Sequence, residues 1–254
     1  MKADFGPTAA DYASFRAGFP EALFERLARH GMGRPGQRIA DLGSGTGSLA
    51  RGFARRGARV TAVDISADML AQARTLAEGE GVDIETHVAP AESTGLAEGA
   101  FDAVTAGQCW HWFARPEAAR EAWRLLRPGG RLAICHFDWI PVPGNMVAAT
   151  EELIRRHNPA WDLGGGMGLY PAWLADAAAA GFHEIETFSF DMAVPYSHEA
   201  WRGRVRASAG VGGSLAAAAV ARFDRDLARL LARDFPADPL SIPHRAFALI
   251  ARAP

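Results

Sequence analysis

Short apolar runs alternate along this chain with longer stretches whose apolar residues recur three and four positions apart. The runs predict strands at 38–41, 59–64, 83–88, 101–106, 131–137, 182–191 and 244–251. In the third of these, Ile84, Thr86 and Val88 alternate with their neighbours in character. The longer stretches predict helices. Pro20 opens the first, with Leu23, Phe24, Leu27 and Ala28 on one face. A second covers 48–56 and stops at Gly57, a residue suited to a helix C-cap. A third is capped by Ser66 and runs through Ala77, with Asp68 in the first turn, where the helix dipole favours an anion. Others are expected at 116–126, near 145–157, and at 171–180, 198–209 and 214–234. Strand and helix taking turns predicts an α/β fold with a doubly wound sheet. The segments 139–170 and 196–235 fit that alternation least well.

The first strand ends in Asp41 and runs into Leu42-Gly43-Ser44-Gly45-Thr46-Gly47, after which the helix begins. Strand, glycine loop and helix form the first crossover of a nucleotide-binding sheet, where a ligand approaches bare backbone. The second strand ends in Asp64, seventeen residues after Gly47, and an acid there can accept both ribose hydroxyls of a nucleoside. Gly45-Thr46-Gly47-Ser48-Leu49-Ala50 also fits the G-x-G-x-x-G/A dinucleotide fingerprint, so the glycines leave two cofactor classes in play. Asp41 separates them. A carboxylate at the mouth of the loop repels a pyrophosphate, but it suits a ligand carrying a sulfonium and an ammonium, as S-adenosylmethionine (SAM) does.

Asp41 to Gly47, followed by Val63-Asp64-Ile65-Ser66, closely resembles the first two motifs of class I SAM-dependent methyltransferases. Downstream, Gln108-Cys109-Trp110-His111-Trp112-Phe113 resembles the Gln-x-x-His-Trp-Phe signature of their type-11 branch, which includes relatives of trans-aconitate methyltransferase. Leu125-Leu126-Arg127-Pro128-Gly129-Gly130 before an apolar strand is a further hallmark of that fold. The resemblance covers residues 11–138. It implies a Rossmann-like seven-stranded sheet, mostly parallel, with the last strand inserted antiparallel beside the sixth, in a single domain spanning 1–254. Residues 1–138 would bind the cofactor, and 139–170 and 196–235 would be helical insertions capping the acceptor pocket.

The resemblance also assigns roles. Asp41, Gly43, Ser44, Gly45 and Gly47 would cradle SAM, Asp64 and Ile65 would meet its nucleoside, and Met69 would lie over the adenine or else pack in the core. In the family an Asp before Ala-Glu binds the adenine amino group; here that position is Pro90, so backbone groups at Ala91 and the side chain of Glu92 would take over. Tyr12 and Arg16 resemble an N-terminal lid, where the arginine pairs with the SAM carboxylate; the other reading is a solvated arm. Gln108, Trp110, His111 and Trp112 fall at the carboxyl end of the fourth strand, where an open sheet binds ligands, and aromatic faces there stabilise a cation. One tryptophan should face the site and the other the core. Tyr170, Trp139, Trp201, Arg204 and Arg206 are candidates for the acceptor lining, with ordinary packing as the alternative for each alone. His111 is the candidate base for an acceptor that must lose a proton.

Composition narrows the field. Formal net charge is −2 in 254 residues, which gives no electrostatic footprint for nucleic acid or an anionic membrane. No apolar run approaches a bilayer-spanning length and no charged-then-apolar leader is visible, so a cytoplasmic protein with a small-molecule substrate is expected. Cys109 and Cys135 are the only cysteines, and the histidines show no metal-ligand spacing, so no metal is expected. Lys2 is the only lysine, which removes an interior Schiff-base lysine, a Walker-type loop and the Tyr-x-x-x-Lys pair of many NAD(P)-dependent oxidoreductases. The Asn/Asp-Pro-Pro-aromatic motif of amino-group nucleic-acid methyltransferases is absent. Glycines 164–166 and Gly168 follow no strand and are expected to form a mobile linker or lid hinge. The expected activity is methyl transfer from SAM to a small molecule, with an NAD(P)-dependent oxidoreductase or a non-catalytic SAM-binding protein as alternatives.

Overall fold

A computed structural model describes Phe15 and residues 17–254; Tyr12 and Arg16 lie outside the described residues. Seven strands form one sheet: β1 (Arg38–Leu42), β2 (Arg59–Asp64), β3 (Glu85–Val88), β4 (Phe101–Gly107), β5 (Leu126–Trp139), β6 (His183–Tyr196) and β7 (Leu240–Arg252), in the order β3-β2-β1-β4-β5-β7-β6. β7 pairs antiparallel with β5 and β6, and the other pairs are parallel. Among the described residues the α-helices are α1 (Glu21–Arg29), α2 (Ser48–Ala54), α3 (Ala67–Gly79), α4 (Arg115–Leu125), α5 (Met146–His157), α6 (Ala172–Ala179), α7 (His198–Arg206) and α8 (Ala217–Asp234). Strand order reverses at β1, and β1 is flanked by β2 and β4. The crevice beyond the carboxyl ends of these strands is where such a sheet takes a ligand.

Contacts divide the chain into two compact units. The larger comprises Gly18–Phe137, Leu169–Phe190 and Ala246–Pro254. Successive strand residues bury to opposite sides, as the two-residue period of a strand demands. Ile39, Val60, Ala103 and Ala133 join Leu23, Phe24, Phe53 and Leu70 of α1, α2 and α3. Leu42, Val63, Val104 and Leu132 join Ala118 and Ala122 of α4 and Trp173 and Ala177 of α6. Both faces are covered, which is why these strands read as continuous apolar runs.

The second unit holds Asp138–Gly168 and Asp191–Arg245, with Phe15 and Ala17. Its core gathers Val147 and Ile154 of α5, Trp201 and Val205 of α7, and Phe223, Leu227 and Leu231 of α8. Asn145 and Ser197 cap α5 and α7 by accepting from the Ala148 and Ala200 N–H groups. Asp224 accepts from Arg202 and from Arg206 at 2.8 Å, so part of the charge pattern on α8 is a specific clamp and not only a solvated face.

Several boundaries differ from expectation. β6 and β7 run well beyond 182–191 and 244–251, because each finds an antiparallel partner that no local pattern announces. The turn at Arg127–Gly130 lies inside β5 as a bulge: Leu126 pairs with Phe101 and Arg131 with Ala103, leaving four residues opposite Asp102. The glycine cluster of 164–168, expected as a hinge, is held by hydrogen bonds: Gly165 N–H donates to Glu151 (2.7 Å) and Arg245 to the Met167 carbonyl (3.0 Å).

Candidate functional site

The loop after β1 is shaped by backbone conformation. Gly43, Gly45 and Gly47 have φ of +61°, +56° and +78°, the left-handed region that L side chains rarely adopt. The first two are bare for different reasons. A Cβ at Gly43 would meet Phe113 Cζ at 2.7 Å and Cys109 Sγ at 2.9 Å, so that residue is packed from the β4 side. A Cβ at Gly45 would meet only Met69 Cε, at 3.5 Å. The loop is tied to the β2 tip: Ser44 N–H donates to the Val63 carbonyl (2.9 Å), and Asp64 accepts from Gly45 N–H (2.8 Å) and Ser66 N–H (2.9 Å). Each Asp64 oxygen keeps a second acceptor position.

Asp41 lies beneath this loop, 1% exposed, and accepts from Thr105 Oγ1 at 2.7 Å across the β1–β4 pairing. Burial raises its pKa to about 6, opposed by hydrogen bonding from Thr105, by the Ser44 hydroxyl and by the Ala50 N–H at the start of α2. The Ser44 hydroxyl lies near enough to favour the carboxylate but falls short of a good hydrogen bond. Its oxygen is buried without a partner among the described residues. An unsatisfied hydroxyl beside a buried carboxylate whose charge burial penalises, under a loop without side chains, is suited to a ligand that brings a donor and a positive charge.

Beside the loop, Ile65 is 75% exposed and Val88, which pairs with Asp64 at the β2–β3 tips, 59%. Two large apolar side chains are thus uncovered at these strand ends, with Met69 on the first turn of α3. Ala91 is buried, and Glu92 accepts from Ala114 N–H (2.8 Å), which commits one carboxylate oxygen to the entry of α4. Glu121 fastens the same connection by accepting from the N–H and hydroxyl of Thr94. Burial disfavours that carboxylate, but its bonds from Arg124 and Thr94 prevail and hold its pKa at about 2.

The β4 tip carries the second cluster. Gln108 has φ +64°, uncommon for a side-chain-bearing residue, and its amide donates to the Phe137 carbonyl of β5. A 3-10 turn over Trp110–Trp112 follows. Of the two tryptophans, Trp110 turns into the core: it is fully buried, and its indole N–H donates to Asp176 (3.2 Å), so the expected acceptor contact at Trp110 is replaced by core packing. Trp112 is 42% exposed, with the His111 ring 4.5 Å away. His111 is exposed and stands 5.3 Å from the ring of His136, which in turn lies 4.6 Å from Tyr170 and 4.9 Å from Trp173. Tyr170 and Trp173 stack at 3.9 Å. Sequence patterning does not single out His136 or Trp173; the one available signal is a lone imidazole inside the apolar β5 run.

Trp139, Trp201 and Arg204 come together in the second unit. Trp139 and Trp201 meet edge to face at 5.2 Å, and the Arg204 guanidinium lies 4.6 Å from the centre of the Trp139 ring. Trp201 is fully buried and donates to Thr150 (3.2 Å), so it too is core and not an open lining. Arg206 is engaged by Asp224 and Glu199. Among the described residues no helix is long and apolar enough to cross a membrane, and no group of three His, Cys, Asp or Glu is placed to hold a metal.

Residues 40–134 match the type-11 family of methyltransferase domains. The chain is 29% identical over 191 residues, 75% of its length, to a methyltransferase of Schizosaccharomyces pombe of uncharacterised activity, and spans 72% of that protein. It is 29% identical over 175 residues to the ubiquinone biosynthesis O-methyltransferase of Xanthomonas oryzae, covering 68% of this chain and 71% of that one. Its fold is shared with phosphoethanolamine N-methyltransferase 2 of Haemonchus contortus, solved with phosphomonomethylethanolamine and S-adenosylhomocysteine. That match has a TM-score of 0.56 at 22% identity, over 98% of this chain and 57% of that one.

Proposed function

We propose that this chain, whose residues 40–134 match the type-11 methyltransferase domain, transfers a methyl group from SAM to a small-molecule acceptor seated at the ends of β4 and β5. The observation that carries the reading is the buried Asp41–Ser44 pair under the bare glycine loop. A dinucleotide would bring a pyrophosphate against that carboxylate; a sulfonium ligand brings the charge that stabilises it. When bound, SAM supplies an electrophilic methyl carbon. Asp41 and the loop would orient its amino-acid end, Asp64 would accept from its ribose hydroxyls, and Ile65 and Met69 would lie against the adenine, with the Ala91 backbone at its edge.

What remains for the protein is alignment and exclusion of water. Gln108, locked onto the Phe137 carbonyl, fixes the backbone from which His111 and Trp112 project. Rings of His111, Trp112 and Tyr170 would contact the acceptor, and His136 would back His111. Where the acceptor loses a proton, the His111 imidazole would take it. The Xanthomonas relative is named for an O-methylation in ubiquinone biosynthesis, which fits a small-molecule acceptor.

Calorimetric titration with SAM and with NADH tests the donor: micromolar SAM binding without NADH binding is expected, and the reverse would overturn the reading. For His111→Ala, cofactor affinity should persist while turnover on an identified acceptor falls by about 10²–10⁴. A variant keeping most of its rate across the pH range would leave His111 as a wall of the site only.

A further inference from the structure

The larger unit has a second concave site, at the opposite ends of the same strands. A cleft of about 290 Å³ is lined by Arg29, Arg34, Arg127 and Arg131, with Gln37 and Asp102. Arg29 ends α1, Arg127 projects from the β5 bulge, and Arg131 lies on β5 where it pairs with Ala103. The cleft is therefore at the amino-terminal edge of β1 and β4, away from the glycine loop at their carboxyl ends.

Its frame is built, not incidental. Gln37 closes the turn after α1 from both sides: its amide donates to the Gly31 carbonyl (2.9 Å) and its oxygen accepts from Arg34 N–H (2.8 Å). The Arg34 guanidinium rests on Gly31, where a Cβ would stand 3.6 Å from its nitrogen, and φ of +78° favours glycine there. Asp102 holds the other wall by accepting from Arg38 N–H (2.7 Å) and Arg127 Nε (2.6 Å). Both of its oxygens are thereby engaged. Among the described residues Arg29, Arg34 and Arg131 form no ion pair, so four guanidiniums line the cleft with one carboxylate, that of Asp102, and a second, Glu186, stands outside the lining 4.0 Å from the His30 imidazole. Like charges gathered this way repel one another unless an anion joins them. The His30 imidazole is the one ring in the lining and no apolar side chain joins it, which removes a hydrocarbon as the bound part. Guanidinium forks match phosphate oxygens in pairs, and several forks around one small cleft match linked phosphates better than a single one.

We infer that the cleft around Arg34, Arg127 and Arg131 is a binding site for a small anion carrying two or more linked phosphates. The anion is either free pyrophosphate or polyphosphate, or the diphosphate end of a nucleotide whose remainder stays in solvent.

The test is calorimetric titration of the full chain at low, constant ionic strength with inorganic pyrophosphate, tripolyphosphate, orthophosphate and ADP. Pyrophosphate and tripolyphosphate should bind at least about tenfold tighter than orthophosphate, with affinity falling steeply as salt is added. ADP binding as tightly as pyrophosphate assigns the site to a nucleotide diphosphate; ADP binding more weakly assigns it to the free anion. Arg34→Gln and Arg131→Gln should each weaken pyrophosphate about tenfold, the loss of one charge-assisted contact. Arg34→Lys should recover part of that loss, and Arg222→Gln, an exposed arginine on α8, should change nothing. SAM affinity measured in the same variants reports that they are folded. Equal affinity for ortho- and pyrophosphate, or pyrophosphate binding indifferent to Arg34 and Arg131, would overturn the site. Binding of an RNA oligonucleotide lost in those variants, with no pyrophosphate binding, would overturn it in favour of a nucleic-acid surface.

Discussion

The protonation state of Asp41 gives the sharpest test of how the cofactor is held. Its carboxyl is raised from 3.8 to about 6, chiefly because burial penalises the charge. Between about pH 4 and pH 6 the native state keeps a proton that the unfolded chain has released, so this group makes stability fall as pH rises through that interval. A two-unit shift corresponds to at most about 3 kcal/mol, fully felt above pH 6 and absent below pH 4. A cationic ligand reverses the preference, since it binds the carboxylate form. With a pKa of about 6, roughly nine-tenths of the protein is ionised there at pH 7 and one-tenth at pH 5. SAM affinity should then drop about tenfold over that span, or about 1.4 kcal/mol, with proton release on binding. Asp41→Asn keeps an oxygen for Thr105 but has no charge. It should be more stable than the parent in urea at pH 7 and equal to it near pH 4, and it should bind SAM weakly with no pH slope. Titrations at pH 5, 6 and 7 in buffers of different ionisation enthalpy read both affinity and protons. A parent affinity flat across that range, or an Asn variant with the same slope, would refute the argument.

Gly43→Ala and Gly45→Ala separate packing from backbone conformation. Gly43→Ala combines a left-handed Cβ with overlap on Phe113 and Cys109, for about 2–5 kcal/mol of lost stability, whereas Gly45→Ala should cost about 1–2 kcal/mol, both read by urea denaturation. Asp64→Ala deprives the Gly45 and Ser66 N–H groups of their acceptor, so thermal stability and SAM affinity should fall together, the latter by roughly 1.5–3 kcal/mol; a loss of affinity alone would mean the loop does not depend on Asp64. His244 is held at about pKa 4, first by burial and further by Arg204, against the pull of the Ile242 carbonyl. Its unfolded form takes up a proton between about pH 6.5 and pH 4 and its native form does not, so stability from this group is lost as pH falls, by up to about 3 kcal/mol. The Asp41 and His244 contributions oppose each other over pH 4–6, and His244→Gln should tilt the stability profile opposite to Asp41→Asn.

The chain's local chemistry determined the strand–helix alternation, the glycine loop and the two acids at the tips of β1 and β2. Each depends on neighbours within a few residues: a side-chain period, a left-handed turn, a cap. That is why the approximate extents of α1, α2 and α3 and the positions of Asp41, Gly43 and Asp64 are legible in the amino-acid order alone. The lengths of β6 and β7 are not, because an antiparallel partner more than forty residues away supplies their hydrogen bonds. Only the tertiary structure could choose between Trp110 and Trp112, two positions apart and alike in composition; Asp176, 66 residues on, receives the first indole and draws it inward. His136 joins the aromatic cluster for the same reason, because Tyr170 and Trp173 fold against β5. The arginine cleft is the extreme case. Its cations are scattered over about a hundred residues of sequence, and only the return of β4 and β5 to the edge of β1 brings them around one space.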